Sequence, residues 1–80
     1  MMPLYGFLQG DTIGLLILAE ETDTMQILAD KLQAAASVRV RPRASVRVFY
    51  KDRELKLRAT VAGLGIAALD RLDFVRGDPS

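Results

Sequence analysis

Apolar residues crowd into two runs, Leu4 to Gln9 and Thr12 to Ala19, on either side of Gly10-Asp11. Glycine tolerates the positive φ that tight hairpin turns require, so these runs predict a β-hairpin, with the Gly-Asp order leaving its turn type open. The periodicity then changes. Met25, Leu28, Ala29, Leu32 and Ala36 recur at helical spacing and predict one apolar stripe, with Gln26, Asp30 and Gln33 turned away. Thr24 is positioned as the N-cap, its hydroxyl accepting from a free backbone N–H, and Asp23 brings negative charge to the positive end of the helix dipole. The helix is expected to end near Ala36-Ser37, because the Val/Arg alternation and Pro42 that follow do not continue its pattern.

Alternation with period two returns at Ser45 to Tyr50, with Val46, Val48 and Tyr50 on one side and Arg47 and Phe49 on the other. Lys51-Asp52 makes a turn into a strand over Arg53 to Leu57. Thr60 to Gly65 reads as a short capped turn of helix stopped by glycine. Leu69 to Val75 supplies the last strand, Leu72 and Phe74 inward and Asp73 outward, and Asp78-Pro79-Ser80 is a frayed tail. The order β-β-α-β-β-turn-β is that of a ubiquitin-like β-grasp. The expected class is therefore α+β, a mixed sheet of about five strands packed on one main helix. A single domain would span residues 1–76, with a tail at 77–80.

A sheet with one helix on it should be apolar on the helix side only, yet the first hairpin is apolar on both sides. Leu4, Gly6 and Leu8 oppose Tyr5 and Phe7, and Ile13, Leu15 and Ile17 oppose Leu16 and Leu18. Either loops and the Ala59 to Ile66 region fold over the second face, or a partner protein covers it. Parity assigns Leu4, Leu8, Leu15 and Ile17 to the core. Tyr5, Phe7, Leu16 and Leu18 go to a protein interface, with Phe49, Arg41 and Arg43 as additions.

Eighty residues allow one domain with one modest core. Cysteine and histidine are both absent, which removes disulfides, thiolate nucleophiles, the usual zinc sites and the neutral-pH proton shuttle. No carboxylate or lysine cluster suggests acid/base chemistry, so the chain is expected to be no enzyme by itself. Charge divides along the chain. Up to Val38 five acids face only Lys31, whereas the remainder is basic, densest at Arg39-Val40-Arg41-Pro42-Arg43. That stretch is either a solvated connecting loop or a contact for phosphates or an acidic protein face. Nucleic acid is disfavoured, because Asp52, Glu54, Asp70 and Asp73 are interleaved with the cations and would oppose phosphates. No basic leader precedes an apolar segment, and the run Ile13 to Ala19 is far short of a membrane span. A soluble, unprocessed cytoplasmic protein is the expectation. The ending Val75-Arg76-Gly77-Asp78-Pro79-Ser80 lacks the flexible Gly-Gly of covalent modifiers and sulfur carriers.

Asp23-Thr24-Met25 through Leu32-Gln33, Val46 to Leu57 and Leu72-Asp73-Phe74-Val75 resemble ubiquitin in order and spacing. Pro3 through Asp11, the apolar second strand, Asp23-Thr24-Met25 and Arg39 to Arg43 are similar to the small B subunit, or gamma chain, of bacterial toluene and related aromatic or alkene monooxygenase hydroxylases. The likeness covers nearly the whole chain. It implies a non-catalytic structural subunit of a multicomponent monooxygenase, docked on the large catalytic hydroxylase subunit. That partner would hold the diiron centre, and this chain would hold no cofactor. The missing histidine is consistent with this, since such centres commonly combine imidazole with carboxylate ligands. Glu20 and Glu21 are adjacent and would point apart in an extended segment. Lys51-Asp52-Arg53, Gly65-Ile66 and Asp70 to Asp73 also resemble the ubiquitin-like component of type VII secretion systems, but the first hairpin is more similar to the monooxygenase subunit.

Overall fold

A computed structural model describes residues 1–11, 13–38 and 46–76 of the chain. Thr12, the basic stretch with Arg41 and Arg43, Ser45 and the tail at 77–80 lie outside the described residues. Strands β1 (Met2–Leu8) and β2 (Gly14–Ala19) form the first hairpin, with Gly10 at φ 94° in its turn. Helix α1 (Met25–Ala36) follows, then β3 (Val46–Tyr50), β4 (Arg53–Leu55), the single-turn helix α2 (Val61–Leu64) and β5 (Arg71–Arg76). The five strands lie in the order β2-β1-β5-β3-β4. Only β1 and β5 run parallel and the other neighbours are antiparallel, which makes the sheet mixed.

The core lies between α1 and one face of the sheet. Met25, Leu28, Ala29, Leu32 and Ala36 bury the helix stripe against Leu4, Leu8, Ile17, Val46, Val48, Leu72 and Phe74. Val61 and Ile66 close one end, and Leu15 and Leu57 are half-buried against the same cluster. Gln33 is buried rather than turned away. It lies four residues beyond Ala29 and eight beyond Met25, on the inward stripe by helical geometry, and only its polarity argued otherwise.

The first backbone donors of the two helices are satisfied reciprocally. Met25 and Gln26 N–H donate to the Ala59 and Leu57 carbonyls at 2.9 Å, and Ile27 N–H donates to Thr24 Oγ1 at 3.2 Å. At α2, Val61 and Ala62 N–H donate to the Asp23 and Glu21 carbonyls at 3.0 Å, and Gly63 N–H donates to Thr60 Oγ1 at 3.0 Å. The capping threonines are themselves joined in an antiparallel bridge, so each helix start is capped by the chain entering the other. Asp23 directs its carboxylate to the Glu20 N–H, at 3.0 Å, and to Lys31.

Two strands are shorter than their alternation suggests. β4 stops at Leu55 rather than Leu57, because the Leu57 carbonyl serves α1 and Ala59 N–H closes a turn on the Lys56 carbonyl. β5 starts at Arg71 rather than Leu69, whose φ of 66° breaks the extended run while its N–H donates to the Pro3 carbonyl. Lys51 and Asp52 both take positive φ, 51° and 65°, as a two-residue type I′ hairpin turn requires. Gly65 ends α2 at φ 69°.

Three substitutions test this packing by denaturant titration. Leu28→Ala and Leu32→Ala are each expected to cost about 2–5 kcal/mol through the cavity left behind. Thr24→Ala is expected to cost about 1 kcal/mol through the lost cap. A Leu28→Ala midpoint equal to that of the unmodified chain would show that the helix does not pack on the sheet as described.

Candidate protein-docking surface

The sheet face turned away from α1 is set by register. Across β1 and β2, Tyr5 pairs with Leu16, Pro3 with Leu18 and Phe7 with Gly14. Across β1 and β5, Tyr5 pairs with Arg71 and Phe7 with Asp73; further across, Phe49 stands between Asp73 and Glu54, and Arg47 opposite Val75. Paired residues share a face, so all of these side chains lie on the outer one. Residues Ala59 to Ile66 do not cover it, for they contribute instead to the helix caps and the core.

This outer face has two unlike halves. Tyr5, Leu16 and Leu18 are 43%, 56% and 51% exposed, and exposed Leu69 is held beside Pro3 by its N–H. The two phenylalanines are only half-buried spans of covered surface. The Phe7 ring lies flat across Gly14, where a Cβ would come within 2.5 Å of it, and the Arg71 guanidinium lies 4.0 Å from the ring centroid. Arg71 in turn donates from Nε and Nη2 to Asp73 Oδ1 at 3.0 and 2.9 Å. The arrangement recurs at Phe49, where Arg47 lies 5.2 Å from the ring centroid and grips Glu54 in a bidentate pair at 3.0 and 2.8 Å. Each outward phenylalanine thus carries an arginine, and each arginine carries its own carboxylate.

Strand β2 is also an edge of the sheet. An apolar edge strand invites another strand to pair with it. Lys31 reaches from α1 to that edge, its Nζ 2.9 Å from the Leu18 carbonyl and 2.9 Å from Asp23 Oδ2. The Glu20 N–H and then Lys31 hold the Asp23 carboxyl below its ordinary range. The Arg47 hydrogen bonds do the same for Glu54. Asp70 accepts from Tyr50 Oη at 2.5 Å and from Ala67 N–H at 2.9 Å; these bonds lower the Asp70 pKa, and the first of them raises that of Tyr50.

Of the residues assigned to an interface from the sequence, Tyr5, Phe7, Leu16, Leu18 and Phe49 share this face, while Arg41 and Arg43 are not among the described residues. Arg71, Asp73, Arg47 and Glu54 escaped the sequence reading because their pairing depends on register across strands. Gly14 opposite Phe7 was the one local signal. A groove lined by Thr24, Gln26, Val46, Leu55, Leu57 and Arg58 has Glu54 as its only lining carboxylate among the described residues, already committed to Arg47. Among the described residues no three metal-ligating side chains gather, and no helix is long and apolar enough to cross a membrane.

Comparison with known proteins gives three results. A family model described as toluene-4-monooxygenase system protein B (TmoB) matches residues 1–75. A chain in the structure of a toluene 4-monooxygenase HD complex with the inhibitor 4-bromobenzoate superposes with a TM-score of 0.85 at 23% identity, covering 94% of this chain and 96% of that one. The ubiquitin of Caldiarchaeum subterraneum superposes with a TM-score of 0.79 at 22% identity, covering 99% and 96%. These two superpositions show the ubiquitin-like β-grasp fold. No curated protein sequence matches.

Two outcomes are expected from the electrostatics. Lys31→Ala opens the β2 edge, and sedimentation should then show self-association at concentrations where the unmodified chain has little. The depressed pKa values of Asp23, Glu54 and Asp70 give stability that is fully present above the ordinary carboxylate range, near pH 4, and is lost as pH falls through their folded values. Thermal melts from pH 7 to 2 should show this acid limb, and Glu54→Gln should flatten it.

Proposed function

Because the chain belongs to the family of toluene-4-monooxygenase system protein B, and is thus a small subunit of a multicomponent monooxygenase, we propose that it is a non-catalytic one that docks on the large hydroxylase subunit. The observation that carries this reading is the family match over residues 1–75, which favours the monooxygenase over the type VII secretion component. The oxygen-activating diiron centre belongs, on this reading, to the large subunit. The chain has neither histidine nor cysteine, and its described carboxylates are spent on arginine, lysine, tyrosine and backbone partners or lie apart. Its contribution is therefore structural: a rigid sheet face that the catalytic subunit covers.

The docking residues are Tyr5, Phe7, Leu16, Leu18 and Phe49, supported by their common place on the outer face, with Arg41 and Arg43 resting on sequence alone. A hydrocarbon-oxidising assembly in the cytoplasm is the setting, compatible with a chain free of cysteine.

Co-expressed with the large subunit, the chain is expected to co-purify in stoichiometric amount. Alone it should bind no stoichiometric iron and oxidise no hydrocarbon. Tight iron binding by the folded, monodisperse chain, measured by elemental analysis, would overturn the non-catalytic assignment.

A further inference from the structure

We propose that the chain docks face-on through the bare apolar half of its outer sheet face, Leu16, Leu18 and Tyr5 with Pro3 and Leu69 beside them, onto an apolar and uncharged surface of the large hydroxylase subunit. This rests on the subunit reading above and adds where the contact lies and what chemistry the partner presents.

The charges on this face determine the partner's character. Among the described residues of this face, Arg71 and Arg47 already hold Asp73 and Glu54 at hydrogen-bond distance, so the described cations and anions come in matched pairs. A partner carboxylate would have to displace an internal one for no net gain. The leucines and Tyr5, by contrast, are about half exposed and gain by leaving water. Phe7 and Phe49 already have a cation on one ring face, which makes them support for the surface rather than its projecting anchors.

The edge strand bears on the mode. A partner adding a strand to β2 would meet Lys31 on the Leu18 carbonyl. The exposed Leu16, Leu18 and Tyr5 instead offer contact through side chains on the face. The family match makes the large subunit rather than a second copy the occupant. The bare half is two strands wide, and strands about 4.8 Å apart and about 20 Å long project roughly 200 Å2, less than a stable interface covers. The large subunit would therefore cover the leucines as the dry centre and extend over the arginine–carboxylate half as the polar rim.

The test measures displacement of labelled chain from the assembled hydroxylase by unlabelled variants. Leu16→Glu and Leu18→Glu are expected to bind at least about thirtyfold more weakly, within the range of interface anchors, with thermal midpoints close to that of the unmodified chain. Ile27→Glu, at an exposed apolar site on α1, should bind within about threefold. Should a glutamate variant fail to fold, Leu16→Ala and Leu18→Ala remove the contact without adding charge and should still weaken binding at least about fivefold. Affinity should vary by less than about threefold between 0.05 and 0.5 M salt.

Leucine variants that bind like the unmodified chain overturn the proposal, as does selective release by Ile27→Glu. A loss of tenfold or more across the salt range would make cations the anchors and also overturn it. A dimer of the isolated chain that Leu16→Glu dissolves would give the surface to a second copy instead. If the unmodified chain itself does not bind the large subunit, the subunit reading falls and this proposal with it. That outcome is distinguished by every variant being equally unbound.

Discussion

One twelve-residue helix can shield only one face of a five-strand sheet, and among the described residues there is one helix of that length. The rest of the molecule follows from that limit. Leu4, Leu8, Ile17, Leu72 and Phe74 use the shielded side, and α1 fills the space above them with Leu28 and Leu32. On the other side the strands must do without a layer. At Phe7 and Phe49 they do so by placing an arginine guanidinium over each ring. At Leu16, Leu18 and Tyr5 they do not, and these side chains are left exposed. The asymmetry is within one face of one sheet, where the same register has been finished in two ways. On the docking proposal above, the unfinished part is where another protein completes the layer.

Most of the architecture was readable from the sequence because its signals are local. A stripe at helical spacing, a threonine before it, and alternation in Val46 to Tyr50 each need only a few neighbouring residues to be seen. Where the reading missed, a distant partner had overridden a local rule. Leu57 keeps the alternation of a strand, but its carbonyl is claimed by an amide of α1. Leu69 is apolar and next to a strand, but the chain reverses there to bring Asp70 to Tyr50 and the Tyr5 N–H to the Asp70 carbonyl. Gln33 differs for the opposite reason: its polarity suggests solvent, but its helical spacing places it on the inward stripe, where it is buried.

The candidate surface was half legible. Parity along β1 and β2 separates one set of side chains from the other, but it is silent on which outward residues are bare. That distinction is tertiary. Phe7 and Leu16 have the same parity in a two-face pattern, yet Phe7 lies under Arg71 and Leu16 is exposed. Nothing within several residues of Phe7 announces an arginine sixty-four positions away in sequence. Only the parallel pairing of β1 with β5 brings the two together.

The reciprocal caps also bear on the order in which structure appears. Beyond the local hydroxyl caps of Thr24 and Thr60, neither helix has its first two donors satisfied until the chain around residues 57–61 has met the chain around residues 21–26. The cost of closing that long loop is therefore met before those four bonds return any energy. The single turn of α2 is thus expected to be a late arrival that seals the fold rather than a seed from which it grows. Once formed, the two segments share one set of hydrogen bonds, and neither can fray without exposing the amides of the other. Their amide protons should therefore exchange with solvent as one cooperative unit, although α1 and α2 differ threefold in length.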